Sequence, residues 1–278
     1  MLLAIDVGNT NTVLGVFDGD QVIEHWRIST VPDRTADEIA VVLQGLLAQS
    51  TVSKGTSTAE RGAASVLLSA GIGGIALCST VPSVLHEMRE MCRRYYADVP
   101  AVIVEPGVKT GVPIRMDNPK EVGSDRIMNA LAAVHLYGGP AIVVDFGTST
   151  NFDAVSARGE FVGGALAPGI EISVDALSRR AAQLLKVELM RPDRVVGKNT
   201  VEALQSGIVY GFAGQIEGIA RRMARELAPG DPESVTVIAT GGLAPLFIDE
   251  VSVIDAHEPW LTLTGLRLVY ERNTGLGG

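Results

Sequence analysis

Residues 2–13 read LLAIDVGNTNTV, and residues 141–152 read AIVVDFGTSTNF. Each stretch is an apolar run followed by an aspartate, one apolar residue, a glycine and a series of small polar residues. Asp6 and Asp145 are 139 residues apart, which is half of the 278-residue chain. Two copies of one strand-and-turn pattern at this spacing predict an internally duplicated α/β protein.

The segments that follow the two copies support the duplication. Each copy continues with an alternating strand pattern and a polar glycine turn, at residues 18–20 and 158–160, which predicts two β-hairpins. The run Gly-Gly-Pro at residues 138–140 breaks the pattern between the copies. We therefore expect two domains, residues 1–139 and residues 140–278.

Helical patterns occupy the spaces between the predicted strands. Thr35 and Glu38 have the spacing of a capping box before an amphipathic segment. A second helix is expected after Ser124 and Asp125, and a long third helix from about residue 200 to residue 227. Residues 49–62 are small and polar and predict an exposed loop.

Composition excludes several classes of function. The net charge of −9 argues against a general nucleic-acid or membrane-surface binder. Cys78 and Cys92 form no CxxC pair, and the N-terminus lacks a basic leader, so a reduced, cytoplasmic protein is expected. The uncharged stretch 62–85 contains glycines and a proline, and it predicts a helix end followed by a core strand at residues 75–79 rather than a membrane span.

The two Asp-x-Gly turns are candidate phosphate-binding sites. A glycine after a core strand permits close backbone approach to phosphate oxygens, and a carboxylate there can hold a hydrated Mg²⁺. A third strand with a glycine turn, VTVIATGGLA at residues 235–244, can accommodate a nucleoside. An ordinary strand-end turn is the alternative for each copy taken alone. The first turn offers Asp6, Gly8, Asn9, Thr10, Asn11 and Thr12, and the second offers Gly147, Thr148 and Thr150.

The segment GSDR at residues 123–126 is a candidate acceptor site. One reading is helix capping by Ser124 or Asp125. The other reading is chemical, because a carboxylate can take the proton of an alcohol during phosphoryl transfer. A neighbouring arginine, here Arg126, can bind a substrate carboxylate through two hydrogen bonds.

The order DVGNT, DFGTST, ATGGLA resembles the acetate/sugar kinase, heat-shock ATPase and actin superfamily. More narrowly, the chain resembles the type III pantothenate kinases through motifs that span residues 2–273: DVGNTNTV, STVP, EPGVKTG, DNPKEVGSDR, DFGTST, GGALAPG, GKNT and LTLTGLRLVYERN. The resemblance implies a duplicated actin-like (ribonuclease H-like) ATPase fold, with two similar domains around a nucleotide cleft. It also implies ATP-dependent phosphorylation of pantothenate to 4′-phosphopantothenate, the first step of coenzyme A biosynthesis.

The resemblance also assigns individual residues. Asp125 is the implied general base, and Asp145 the implied ligand of a monovalent cation, K⁺ or NH₄⁺. Thr200 is implied to reach the pantothenate pocket of a neighbouring subunit, which makes the protein a homodimer; by its sequence context alone it is also a candidate N-cap. The implied ATP-binding residues are Asp6, Gly8, Asn9, Thr10, Asn11, Thr12 and Thr148. The implied pantothenate contacts are Gly123, Ser124, Asp125, Arg126 and Thr200.

Two positions depart from the family pattern. Met116 stands where a tyrosine is frequent, and Asn151 stands where a threonine is frequent. The segment GKNT at residues 197–200 is not a Walker A motif, because it lacks the upstream glycine and the adjacent Lys-Ser/Thr pair. Two alternatives follow: another small-molecule kinase of the same superfamily, or a catalytically weak, regulatory ATP-binding module.

Overall fold

The computed structural model describes residues 1–49, 71–180 and 187–275. The chain divides into two compact units that interleave along the sequence: Met1–Gly111, Lys120–Ala132 and Thr262–Gly278 form the first, and Val112–Pro119 and Ala133–Leu261 form the second. The predicted two-domain boundary between residues 139 and 140 stays a prediction. The loop predicted at residues 49–62 lies outside the described residues, apart from Gln49.

The first unit is built on a five-stranded sheet. Its central strand β1 is antiparallel to β2 and parallel to β4, and the spatial order is β3-β2-β1-β4-β5. The hairpin predicted around residues 18–20 is the β2–β3 connection. The strands are β1 (Leu2–Val7), β2 (Asn11–Asp18), β3 (Gln21–Ser29), β4 (Gly74–Ser79) and β5 (Ala101–Ile103).

The second unit repeats this sheet. Its order is β10-β9-β6-β7-β8, with β6 antiparallel to β7 and parallel to β9. Asp6 and Asp145 are each the fifth residue of the central strand. The predicted duplication is therefore confirmed at the level of strand order. The strands are β6 (Ala141–Phe146), β7 (Ser149–Val155), β8 (Phe161–Pro168), β9 (Thr236–Thr240) and β10 (Ala256–His257).

Six α-helices complete the described residues: α1 (Ala36–Ala48), α2 (Pro82–Tyr95), α3 (Ser124–Tyr137), α4 (Ile170–Arg180), α5 (Thr200–Leu227) and α6 (Leu261–Thr274). The capping box predicted at Thr35 and Glu38 is present. The candidate assignment of Thr200 as the N-cap of α5 was wrong. Asn199 has the extended cap conformation, and its side-chain oxygen accepts the Glu202 N–H at 2.9 Å, whereas Thr200 is already helical.

Successive residues of each strand face opposite sides of the sheet. In the first unit, Ile5, Val7 and Leu77 are buried in a core with residues of α1 and α2. Asp6 and Cys78 therefore project from the opposite face of β1 and β4. The core strand predicted at residues 75–79 is confirmed as β4, and no helix of the described residues is long and apolar enough to cross a membrane.

Candidate active site

The first Asp-x-Gly turn is held in shape by the end of β3. Gly8 donates its N–H to the Asn11 carbonyl at 3.0 Å, which closes the turn. The Thr30 hydroxyl donates to the Gly8 carbonyl at 2.7 Å and pairs with the Thr12 hydroxyl at 2.9 Å. Thr12 is therefore buried as a support of the turn, while Asn9 and Thr10 are exposed and accessible to a ligand.

Asp6 lies at the carboxyl end of two parallel strands. It is the Cα partner of Cys78 in the β1–β4 pair, and the Cys78 thiol donates to Asp6 Oδ1 at 3.3 Å. The carboxyl ends of parallel strands are the usual location of ligand sites in open α/β sheets. Cys78 is fully buried, so this contact is sheltered from water.

The start of α3 brings the predicted acceptor residues to the same edge. The Ser124 hydroxyl donates to the Ser79 carbonyl at 3.3 Å, directly after β4. A Cβ at Gly123 would overlap Asp125 Oδ1, so only glycine leaves room for that carboxylate. Asp125 Oδ1 is buried and has no hydrogen-bond partner among the described residues. Asp6, Ser124 and Asp125 thus belong to one cluster in the first unit.

Burial and like charge shift the two carboxylates in this cluster. Burial and, to a smaller extent, the Asp125 charge raise the pKa of Asp6 to about 7, against the opposing effect of the Cys78 hydrogen bond. Burial also raises the pKa of Asp125, against the backbone N–H and the positive charge of Arg126. Ser124 and Asp125 both lie inside α3, and the Gly123 carbonyl accepts the Ile127 N–H, so the helix-capping role considered for these two residues from sequence was wrong.

These two carboxylates suit a hydrated divalent cation. Mg²⁺ prefers oxygen ligands and keeps several waters while taking one or two carboxylates. The pKa of Asp6 is raised because burial and the nearby Asp125 charge disfavour the ionised carboxylate, and a nearby cation would stabilise that ionised form. The described residues contain no group of three or more His, Cys, Asp or Glu side chains arranged around a metal position.

The second unit holds the other predicted phosphate and cation residues. Asp145 is the Cα partner of Asn151 across β6 and β7, and the Ser149 hydroxyl donates to Asn151 Oδ1 at 2.6 Å. Gly241, which follows β9, has φ +91°, and a Cβ there would lie 2.7 Å from Asp145 Oδ1. The predicted glycine turn after residue 240 is therefore packed directly against Asp145.

Thr148 is exposed in the turn between β6 and β7. A Cβ at Gly169 would overlap the Thr148 carbonyl, so Gly169 lets α4 begin against this turn. Met116, one of the two departures from the family pattern, lies in the second unit, where a Cβ at Gly163 would be 3.6 Å from its sulfur. Thr200 is exposed at the first turn of α5.

Sequence reasoning missed two residues of the first cluster. Thr30 supports the turn from 22 positions away, and Cys78 contacts Asp6 from 72 positions away. No short motif joins such distant partners. The one available signal was position along the strands, because Thr30 directly follows β3 and Cys78 lies near the end of β4.

Two sheets of the same strand order, each with an Asp-x-Gly turn ending its central strand, define the actin-like ATPase fold. The family model for type III pantothenate kinase matches residues 2–222. The type III pantothenate kinase of Streptomyces avermitilis is 70% identical over 98% of both chains. That of Thermobifida fusca is 65% identical over 99% of this chain and all of its own. The chain belongs to the type III pantothenate kinase family, and it is a kinase.

Solved structures agree on the fold. A Campylobacter jejuni protein whose name assigns it to the Baf family of transcriptional activators is 16% identical, with a TM-score of 0.57 over 98% of this chain and 99% of its own. A Listeria monocytogenes protein named as an N-acetylmannosamine kinase is 13% identical, with a TM-score of 0.51 over 98% and 99%. At these identities the likeness concerns the fold alone. The family assignment does not favour the regulatory module considered from sequence.

Proposed function

We propose that this pantothenate kinase transfers the γ-phosphoryl group of ATP to the primary hydroxyl of pantothenate with Asp125 as the general base. The reaction yields 4′-phosphopantothenate for coenzyme A biosynthesis. The observation that supports this role is Asp125 Oδ1, a buried carboxylate oxygen without a hydrogen-bond partner among the described residues. A buried acceptor normally has a partner, and the substrate hydroxyl is a suitable donor.

In the proposed step, the pantothenate hydroxyl oxygen bonds to the γ-phosphorus while the bond from that phosphorus to the β–γ bridging oxygen breaks. ADP leaves with the electron pair of the broken bond. The hydroxyl proton passes to Asp125, which becomes a carboxylic acid. Its raised pKa favours this acceptance, and because the transition state of phosphoryl transfer is loose, the proton moves late.

The substrate is oriented at its other end. Pantothenate carries a carboxylate, and we assign its recognition to Arg126, next to the base on α3. A guanidinium can make two parallel hydrogen bonds to a carboxylate. Gly123 and Ser124 complete the proposed contact.

The nucleotide phosphates are assigned to the two turns. In the first unit the proposed groups are the backbone and exposed side chains of residues 8–11, with Asp6 holding Mg²⁺. Bound Mg²⁺ supplies positive charge that stabilises the phosphates during transfer. Thr12 contributes by supporting the turn. In the second unit Thr148 is the proposed phosphate contact.

We also propose a monovalent cation, K⁺ or NH₄⁺, at Asp145. The Asp145 carboxylate lies against the Gly241 turn and opposite Asn151, so carboxylate, amide and backbone oxygens are close together. Hard oxygen ligands of this kind suit such cations. The threonine-to-asparagine departure at residue 151 thus retains an oxygen ligand.

A homodimer is the proposed assembly, with Thr200 contributed across the interface. Thr200 is close in sequence to the exposed Val195, Val196 and Val201, and further large apolar side chains of the second unit are exposed; exposed apolar surface is typical of interaction sites. The exposed side chains are Leu166, Ile172, Leu177, Met190, Val195, Val196 and Val201.

We further propose the cytoplasm as the location, since both cysteines are free thiols. Residues 1–139 and 140–278 are the proposed N-terminal and C-terminal actin-like domains.

The Asp125→Asn variant tests the base. It keeps the shape of the side chain and removes the proton acceptor, so kcat is expected to fall by roughly 10²–10⁴ while ATP binding is retained. The matched control is Asp98→Asn, at an exposed position of the first unit. Steady-state ADP release measures kcat, and an unchanged kcat in Asp125→Asn would remove Asp125 from this role.

A further inference from the structure

Cys78 is fixed at the same sheet edge as Asp6. The parallel β1–β4 register makes Asp6 and Cys78 Cα partners, with Ile5 and Leu77 on the opposite, apolar face. Cys78 is fully buried, and its Sγ is 3.3 Å from Asp6 Oδ1. The strand register therefore places the thiol on the same face as the carboxylate, and the thiol donates to it.

The same sulfur lies within hydrogen-bonding reach of the Ser124 hydroxyl, at the start of α3. It is therefore placed between the residue assigned to Mg²⁺-ATP and the helix turn that carries Asp125. The Asp125 charge acts on Asp6 and raises its pKa, so the two carboxylates repel each other, and this repulsion favours rotation of the Asp6 side chain away from Asp125. A donor that occupies Oδ1 prevents that rotation.

We infer that Cys78 is a positioning residue for phosphoryl transfer, whose thiol holds Asp6 by Oδ1 and leaves the other carboxylate oxygen for the cation. This inference rests on the proposed role of Asp6 in holding Mg²⁺-ATP. Cys78 acts through Asp6 and takes no part in the bonds that form or break. Correct placement of catalytic groups matters because small displacements of reacting groups lower rates strongly.

A role as nucleophile or redox sensor does not fit the site. Burial, the Asp6 charge and the Asp125 charge raise the pKa of the Cys78 thiol well above its ordinary value. Reactive cysteines are thiolates in electropositive, accessible surroundings. Cys78 is inaccessible, and its sulfur lies 3.3 Å from Asp6 Oδ1, which is the geometry of a thiol that donates a hydrogen bond.

The test compares Cys78→Ala, which removes the donor, with Cys78→Ser, which keeps one. Cys92→Ala is the matched control, because Cys92 is a second buried cysteine of the first unit, on α2. Cys78→Ala is expected to lower kcat by about threefold, the size of one weak hydrogen bond, with little change in the KM for pantothenate. Cys78→Ser is expected to recover most of the loss, and Cys92→Ala to match the wild type.

Binding provides a second readout that does not depend on turnover. Calorimetric titration with a non-hydrolysable ATP analogue, with and without Mg²⁺, gives the factor by which Mg²⁺ tightens binding. Cys78→Ala is expected to lose most of this factor, whereas Cys78→Ser and Cys92→Ala keep it. If Cys78→Ala does not fold, Cys78→Val fills the space without a donor and replaces it.

Two results would overturn the inference: wild-type Mg²⁺ tightening and kcat in Cys78→Ala, or a Cys78→Ser variant as impaired as Cys78→Ala. A lower melting temperature alone would assign Cys78 to packing and also overturn it. Failure of the proposed function is distinguishable. In that case the wild-type protein itself shows no pantothenate-dependent turnover, while the Mg²⁺ tightening still reports on Cys78.

Discussion

At the scale of single residues, the cluster of Asp6, Cys78 and Asp125 combines two carboxylates with one thiol donor. Desolvation disfavours the charged forms of both acids, and among the described residues the side chain that donates to Asp6 is the Cys78 thiol, a weak donor. Such a site is unfavourable for the protein without ligand. Its charges become favourable when a cation and a substrate hydroxyl bind, which is typical of functional sites.

The raised pKa of Asp6 predicts a pH-dependent stability of the metal-free protein. The pKa of about 7 in the folded state lies above the unfolded value, so the contribution to stability is present at low pH and lost as pH rises toward 7. The Asp6→Asn variant has no carboxyl group to ionise at this position, so its stability does not fall in this way as the pH rises. Its free energy of unfolding relative to wild type should therefore rise by about 2 kcal/mol from pH 5 to pH 8.

Urea denaturation in EDTA at several pH values measures this difference. Asp98→Asn, at an exposed position, serves as the control and should follow the wild type at every pH. Parallel curves for Asp6→Asn and wild type would show that the pKa of Asp6 is not raised.

Local patterns predicted the residues of the turns and the base, because each lies in a short motif. They did not predict Cys78 or Thr30, whose contacts join strands distant in sequence. Thr200 shows a different limit. Asn and Thr are both good cap residues, and only the backbone conformation of Asn199 decides between them.

At the scale of helices and strands, the internal sequence repeat predicted most of the fold. The strand, turn and hairpin of each half were readable because alternation and glycine turns are local. The pairing of β1 with β4 and of β6 with β9 was not readable, since parallel pairing depends on long crossovers. The β1–β4 pairing brings Asp6 and Cys78 together near the carboxyl ends of these two strands.

The start of α5 separates a structural residue from a functional one. Asn199→Ala removes the cap and should lower the free energy of unfolding by about 1 kcal/mol, with a smaller effect on the KM for pantothenate. Thr200→Ala should keep stability, because alanine suits the first helical turn, and should raise the KM. Denaturation and steady-state kinetics on both variants measure this. The reverse pattern would contradict the substrate role of Thr200.

At the scale of the whole molecule, the proposed pantothenate site includes Thr200 of a second subunit. Val196 is 78% exposed among other apolar side chains of the second unit. Val196→Glu is expected to give a monomer in sedimentation equilibrium and to lose most of its activity, because a buried unpaired charge opposes association. Val41→Glu, on α1 of the first unit at 68% exposure, is the control and should stay dimeric. A dimeric, active Val196→Glu would move the interface elsewhere.

We predict that the chain phosphorylates pantothenate and that a monovalent cation bound at Asp145 supports the reaction. The most direct test is ADP release by the purified protein with Mg²⁺-ATP, with and without pantothenate, in potassium and again in sodium. We expect turnover that requires pantothenate and is faster in potassium. Turnover that requires pantothenate but is equal in both salts would contradict the cation assignment. The absence of pantothenate-dependent ADP release in both salts would contradict phosphorylation of pantothenate by this chain.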